Sequence, residues 1–163
     1  MKKVLTYISL VLLVILGTSL GRYIEIFGVS PNPALCFVII YSLTNGSVRS
    51  ASLGLVCGLI FDSVSNVAFG FNGLILMYMC LISSYFSKRF YYHNKTALVF
   101  GVFMYSLFYE TLSLLFTAVI FSDAPFFHTF FRFALVEASL NSIIAIPILF
   151  WVKWLNNEYI RGI

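Results

Sequence analysis

Residues 50–70 read SASLGLVCGLIFDSVSNVAFG, and a step of four residues along this stretch meets only small or polar side chains. The members of this small-residue ridge are Ser50, Gly54, Gly58, Asp62, Asn66 and Gly70. Residues spaced by four lie on one ridge of an α-helix, so the pattern predicts a helix whose backbone closely approaches a neighbouring helix. Such spacing is typical of helices that pack against one another in lipid.

Two interpretations of the ridge are open. Packing against another helix of the same chain is the simpler one, and docking of another membrane protein is the alternative. Asp62 needs a further reason, because a carboxylate in hydrocarbon costs several kcal/mol unless it is paired, protonated or hydrated.

The composition of the whole chain places it in a membrane. Of its 163 residues, 61% are apolar, ten are basic and six are acidic, and the mean hydropathy is +0.97. A surface that faces water cannot be assembled from so few charged groups. The net charge of +4 comes from basic residues scattered singly and in pairs, so no dense phosphate-binding patch and no nucleic-acid partner is predicted.

Apolar runs separated by polar, Gly and Pro residues predict an all-α integral membrane bundle of six transmembrane helices. The expected spans are residues 4–20, 30–46, 51–68, 71–87, 97–121 and 130–152. A span requires about 20 apolar residues, or at least about 17. The second span is the weakest, because its continuous apolar run extends only from Ala34 to Leu43. Pro31 and Pro33 are compatible with its first turn, where a missing N–H costs little.

The basic residues predict that both termini are cytoplasmic, since Lys and Arg are retained on that side of short loops. In this orientation Arg22 and Arg132 lie outside. The basic residues on the inner side are Lys2, Lys3, Arg49, Lys88, Arg89, Lys95, Lys153 and Arg161. Omitting the second span would move Arg49 outside and reverse every later segment, so six spans fit better than five.

The N-terminus also has features of a signal peptide, with Lys2 and Lys3 before an apolar run. That run, residues 4–20, is longer than the usual apolar region of about 7–15 residues. It is not followed by an Ala-x-Ala cleavage site. We therefore expect the first span to be retained.

Three acidic residues fall at middle to outer depth in the predicted spans: Asp62, Glu110 and Glu137. Arg132 lies at a comparable depth, and pairing it with an acid would lower the cost of burying both charges. Because an amide both donates and accepts hydrogen bonds, Asn141 would complete an intramembrane polar cluster of all five residues. A structural role is favoured for this cluster, and partner recognition or a proton or substrate path are the alternatives.

The sequence has none of the common catalytic patterns. It lacks a GxxxxGK phosphate loop, an HExxH motif and a nucleophile elbow, and His93 and His128 are predicted on opposite sides of the membrane. Cys36, Cys57 and Cys80 lack the spacing of a metal site. We therefore expect a protein that is not an enzyme and that uses no metal or cofactor.

Two segments resemble the rod-shape-determining protein MreD family: PNPALCFVIIYSLTNG at residues 31–46 and GLVCGLIFDSVSNVAFGFNGL at residues 54–74. The shared features are a Pro-led second span, a third span with spaced glycines and an Asp, a turn containing Gly-x-Asn, and an apolar fourth span. The matching residues are Gly54, Gly58, Asp62, Gly70, Asn72 and Leu74. The chain departs from the family at the start of the second span, where Asn32 rather than an acid follows Pro31.

The resemblance implies a non-catalytic subunit of the cell-elongation machinery in the bacterial inner membrane. Its implied partners are the bitopic protein MreC and, through it, the actin-like MreB filament, the RodA glycosyltransferase and a class B penicillin-binding transpeptidase, with membrane lipid around it. The implied fold is similar to that of the substrate-binding membrane subunits of energy-coupling-factor vitamin transporters.

That similarity of fold supplies two alternative functions. One is a small-molecule-binding subunit of a vitamin transporter, and the other is a protein that binds a lipid or an undecaprenyl-linked precursor. Transporter subunits usually dock their partner through an Ala-xxx-Ala face on the first span, whereas residues 4–20 contain no alanine. Gly17 and Gly21 form one small-xxx-small pair that keeps the transporter alternative open.

Overall fold

The computed structural model describes residues 2–20, 23, 25–45, 47–64, 69–90, 95–121 and 130–156. These residues form six α-helices: α1 (Lys2–Leu20), α2 (Pro33–Thr44), α3 (Ser47–Val64), α4 (Phe71–Phe90), α5 (Lys95–Phe121) and α6 (Leu135–Asn156). A π-helical turn, Phe130–Ala134, leads into α6. The described residues contain no β-strand, only an isolated bridge between Ile26 and Val29. The prediction of an all-α chain with six helices is confirmed.

The short helix α2 is the centre of the bundle. All its residues from Ala34 to Leu43 are buried, and it contacts each of the other five helices. A helix that is apolar on every side must be surrounded by other structure. With 12 residues it is about 18 Å long, well short of the roughly 30 Å hydrocarbon core. The weakest predicted span is therefore an internal helix that the longer helices enclose.

The α3–α4 hairpin is built on the glycines of the small-residue ridge. A methyl group at Gly54 would lie 2.7 Å from both the Leu76 carbonyl oxygen and the Cys80 Sγ. A methyl group at Gly58 would overlap the backbone of Asn72 and Gly73 on α4. The two glycines therefore face α4 within the same molecule. Ser50 is buried at the start of the ridge, whereas Asn66 lies outside the described residues.

Large apolar side chains cover the outside of the bundle. The exposed ones include Val4, Ile8, Val11 and Ile15 on α1, and Leu74, Tyr78, Ile82 and Tyr85 on α4. Among the described helices, Thr96–Val119 (24 residues) and Phe130–Leu155 (26 residues) are long and apolar enough to cross a membrane. Stripes of exposed apolar side chains suit lipid rather than water.

We expect Gly58→Ala to destabilise the protein by roughly 2–3 kcal/mol, because the new methyl group would meet α4 backbone that cannot move aside. The measurement is thermal unfolding of the purified protein in detergent. Gly73→Ala is the matched control, since a methyl group there would lie 3.3 Å from the side-chain tip of Leu59. Equal melting temperatures for the two variants would contradict the close α3–α4 packing.

Candidate functional site

The Asp62 carboxylate is buried near the end of α3 and accepts hydrogen bonds from three backbone N–H groups. Oδ2 accepts from Gly70 at 2.9 Å and from Gly73 at 3.2 Å, and Oδ1 accepts from Asn72 at 3.1 Å. The side chain is only 4% exposed. Its charge is therefore compensated by amide dipoles rather than by a basic residue.

These amides belong to the start of α4, where the first N–H groups have no partner inside the helix. The helix N-terminus also carries a partial positive charge that favours an anion. Gly70 precedes α4 and offers no side chain as a cap, and its φ of +96° is in the left-handed region that favours glycine. Asp62 therefore caps α4 from the preceding helix and fixes the turn between them.

Asn72 connects the capped end of α4 to α5. The Tyr109 hydroxyl on α5 donates to Asn72 Oδ1 at 2.9 Å, and both side chains are buried. The rings of Phe71 and Phe116 stack beside them, with centroids 3.6 Å apart and planes 17° from parallel. The Gly-x-Asn turn is therefore hydrogen-bonded to both α3 and α5.

Asn141 on α6 joins three helices. Its Oδ1 accepts from the Asn32 N–H at 2.7 Å, and its Nδ2 donates to Ser106 Oγ on α5 at 3.3 Å. Its carbonyl oxygen accepts from Cys36 Sγ on α2 at 3.4 Å. Asn141 is fully buried, and these bonds satisfy polar atoms that burial would otherwise make costly.

Glu110 on α5 and Glu137 on α6 form a carboxyl pair. Both are partly buried, and the two side chains are close enough for the charge of one to affect the other. Two adjacent carboxylates repel each other, so such a pair is costly unless a proton or a cation reduces its charge. The pair is placed between α5 and α6, beside the bonds of Asn141.

The structure does not bring all five residues of the expected polar cluster together. Glu110, Glu137 and Asn141 meet between α5 and α6, whereas Asp62 is occupied by the start of α4. Arg132 is exposed, its guanidinium carbon lies 5.7 Å from the centroid of the Phe133 ring, and it forms no ion pair with an acid of the described residues. The expected pairing of Arg132 with an acid is therefore not found.

A cavity of about 550 Å³ opens at the end of the bundle where α1 ends and α2 begins. Its polar lining residues are Thr18, Glu25, Ser30, Asn32, Asn72, Tyr109, Glu110, Ser113 and Glu137, and its apolar ones are Leu13, Val14, Gly17, Pro31, Phe61 and Val64. The sequence did not reveal this cavity, because five helices and the segment before α2 contribute to it and no local pattern marks its wall. For the same reason, the sequence did not mark Tyr109 and Glu25 as site residues.

Comparisons with known proteins identify a family. The family model described as rod shape-determining protein MreD matches residues 1–158. No curated protein matches the chain, and no solved structure matches it.

We expect Asp62→Leu to destabilise the protein by at least about 3 kcal/mol, because it leaves three amides without an acceptor. Asp62→Asn should have a smaller effect, since one oxygen remains while the amide NH₂ faces backbone donors. The measurements are the yield of folded protein in membranes and thermal unfolding in detergent. Ser63→Ala is the control, because Ser63 is exposed and bonds only to Leu59 within α3. Unchanged yield and melting of Asp62→Leu would refute the capping role.

Asn32 gives a second test at the position where the chain departs from its family. Its Oδ1 accepts from the Leu35 N–H at 3.1 Å and so caps α2, a bond that an acid in this place would also accept. We expect Asn32→Ala to lower stability by about 1 kcal/mol and Asn32→Ser to have almost no effect. Thermal unfolding of both variants checks this, and equal loss in the two would argue against capping.

Proposed function

The chain belongs to the MreD family of rod shape-determining proteins, and from this membership we propose that it is a non-catalytic scaffold subunit of the bacterial cell-elongation complex. The observation that carries the proposal is the family match, which covers residues 1–158 of the 163. In this role the protein supports lateral peptidoglycan synthesis by assembling other proteins. The family is described as rod shape-determining and is not a known enzyme family.

The proposed location is the bacterial inner membrane, with one transmembrane domain of six spans and both termini in the cytoplasm. The short second span, α2, crosses inside the bundle, where protein rather than lipid surrounds it. The six helices, the apolar outer surface and the distribution of Lys and Arg all support this topology. In this orientation the capped α3–α4 turn and the cavity lie toward the exterior. A fold similar to that of the energy-coupling-factor substrate subunits is part of the same proposal.

The proposed direct partner is the transmembrane helix of an MreC-like protein, which connects the subunit to the MreB filament, RodA and a class B transpeptidase. The glycine face of α3 is filled by α4, so an outward surface must serve this contact. The best candidate is α1, because it packs mainly against α2. One side of α1 is exposed along its length, with no other described helix against it. The residues of that side include Val4, Ile8, Val11 and Ile15.

The transporter alternative is less well supported. A methyl group at Gly17 would lie 3.1 Å from Pro33 Cδ, so Gly17 faces α2 and is not part of an outward small-residue surface. With no alanine on α1, the chain lacks the docking face that such transporter subunits use. Saturable vitamin binding to the purified protein would reverse this ranking.

Photocrosslinking from α1 tests the proposed partner surface. We expect a photoreactive residue at the exposed position Val11 to capture an MreC-like protein in membranes. The matched control is Leu10, which is 0% exposed and should give crosslinks only within the chain. A third site at Val64, exposed on α3, compares the two helices. Mass spectrometry of the products identifies what is captured.

Depletion supplies the cellular test. Loss of the protein from a rod-shaped host should produce round cells, because lateral wall synthesis would lose its scaffold. A host that stays rod-shaped, together with no MreC-like protein captured from either helix, would overturn the proposal. Round cells without capture would reject only the surface assigned to MreC.

A further inference from the structure

The 550 Å³ cavity has features of a ligand site that the scaffold function does not explain. Its volume is within the range of about 300–1,000 Å³ that is common for small-molecule sites. Like such sites, it combines apolar walls with a few polar groups that converge on one region. We propose that it binds an amphipathic ammonium ion, with the charged group at Glu110 and Glu137 and the apolar part toward α1 and α3.

The charge of the ligand follows from the cavity lining. Among the described residues that line the cavity, three are acids, Glu25, Glu110 and Glu137, and none is Lys, Arg or His. The carboxyl pair has no ion-pair partner among the described residues, because Arg132 is exposed and lies against Phe133. A charge at this depth is costly without a partner, so a cation that enters the cavity compensates it. An anion would be repelled by these acids.

The geometry at the carboxyl pair favours an ammonium group over a metal ion. Among the described residues no three His, Cys, Asp or Glu side chains are placed to hold a metal ion, whereas two carboxyl groups offer several acceptor lone pairs to a hydrogen-bond donor. An ammonium group has one positive charge and three donors. Tyr109 and Ser113 line the same region of α5 and add hydroxyl groups near the expected position of the cation.

The apolar half of the cavity explains why the ligand should be amphipathic. Leu13 and Val14 of α1 form one part of this wall, and Phe61 and Val64 of α3 form another. A small hydrated cation would leave these side chains against water, whereas an alkyl chain would cover them and gain the free energy of apolar burial.

A ligand series on the unmodified protein tests the proposal without any substitution. The full chain is purified in an uncharged maltoside detergent and titrated calorimetrically with octylammonium, 1-octanol and octanoate. Octylammonium should bind saturably and roughly tenfold more tightly than octanol, as expected for a charge-assisted hydrogen bond, and octanoate most weakly. Absence of saturable octylammonium binding, or equal affinity for octanol, would overturn the proposal.

Two variants locate the binding site. Glu110→Gln with Glu137→Gln keeps the side-chain volume but removes the charge, and it should weaken octylammonium about tenfold without lowering the melting temperature. Ser113→Phe places a ring into the cavity and should weaken both octylammonium and octanol. The control is Ser139→Ala, at an exposed α6 residue bonded within its own helix. Wild-type affinity in both the double variant and Ser113→Phe would refute the site.

The natural ammonium group has two possible sources, a free amine or an aminophospholipid. Dihexanoyl phosphatidylethanolamine and dihexanoyl phosphatidylcholine differ only in the headgroup amine, and each is added to the octylammonium complex. Displacement by the ethanolamine lipid alone assigns a lipid headgroup. Displacement by neither assigns a free amine, and displacement by both equally would overturn recognition of a primary ammonium. If cells that carry the double Gln variant keep their rod shape, the scaffold proposal stands whether or not the variant binds octylammonium.

Discussion

The carboxylate of Asp62 bound to the first amides of α4 is the contact on which the rest of the structure depends. It joins the end of α3 to the start of α4 and satisfies N–H groups that have no partner inside the helix. With the turn fixed, Gly58 lies against the backbone of α4. The same turn presents Asn72 to Tyr109, so α5 is positioned by the same capped end.

Buried hydrogen bonds carry much of the helix pairing in this bundle. Apolar side chains gain little by leaving lipid for a helix surface, so close packing and polar contacts must supply the specificity. Asn141 joins α2, α5 and α6, and the hydroxyls of Ser42 and Ser83 join α2 to α4. At the other end of α3, the Tyr7 hydroxyl meets Ser52 Oγ at 3.0 Å. Each of these bonds connects different helices, which gives the bundle a unique arrangement.

The sequence predicted the helices well, because hydrophobic runs and four-residue spacing are local patterns. The ridge from Ser50 to Gly70 also predicted that α3 would pack closely, although not which helix would fill it. The partner of Asp62 was not predictable, since backbone amides have no sequence signature and Arg132 was the expected counter-charge. The central place of α2 was hidden for a related reason: a ten-residue apolar run looks the same whether lipid or protein surrounds it.

The position of the cavity connects the proposed ligand to the proposed scaffold role. Its wall combines α1, whose outer side is the proposed surface for MreC, with the carboxyl pair on α5 and α6. Of the three, α1 makes the fewest contacts with the bundle, mainly with α2. A ligand that touches α1 on one side and the carboxyl pair on the other would favour one position of α1. Because a partner bound to the outer side of α1 would also favour a particular position, the two binding events would be thermodynamically linked, and each would change the affinity of the other by the same factor.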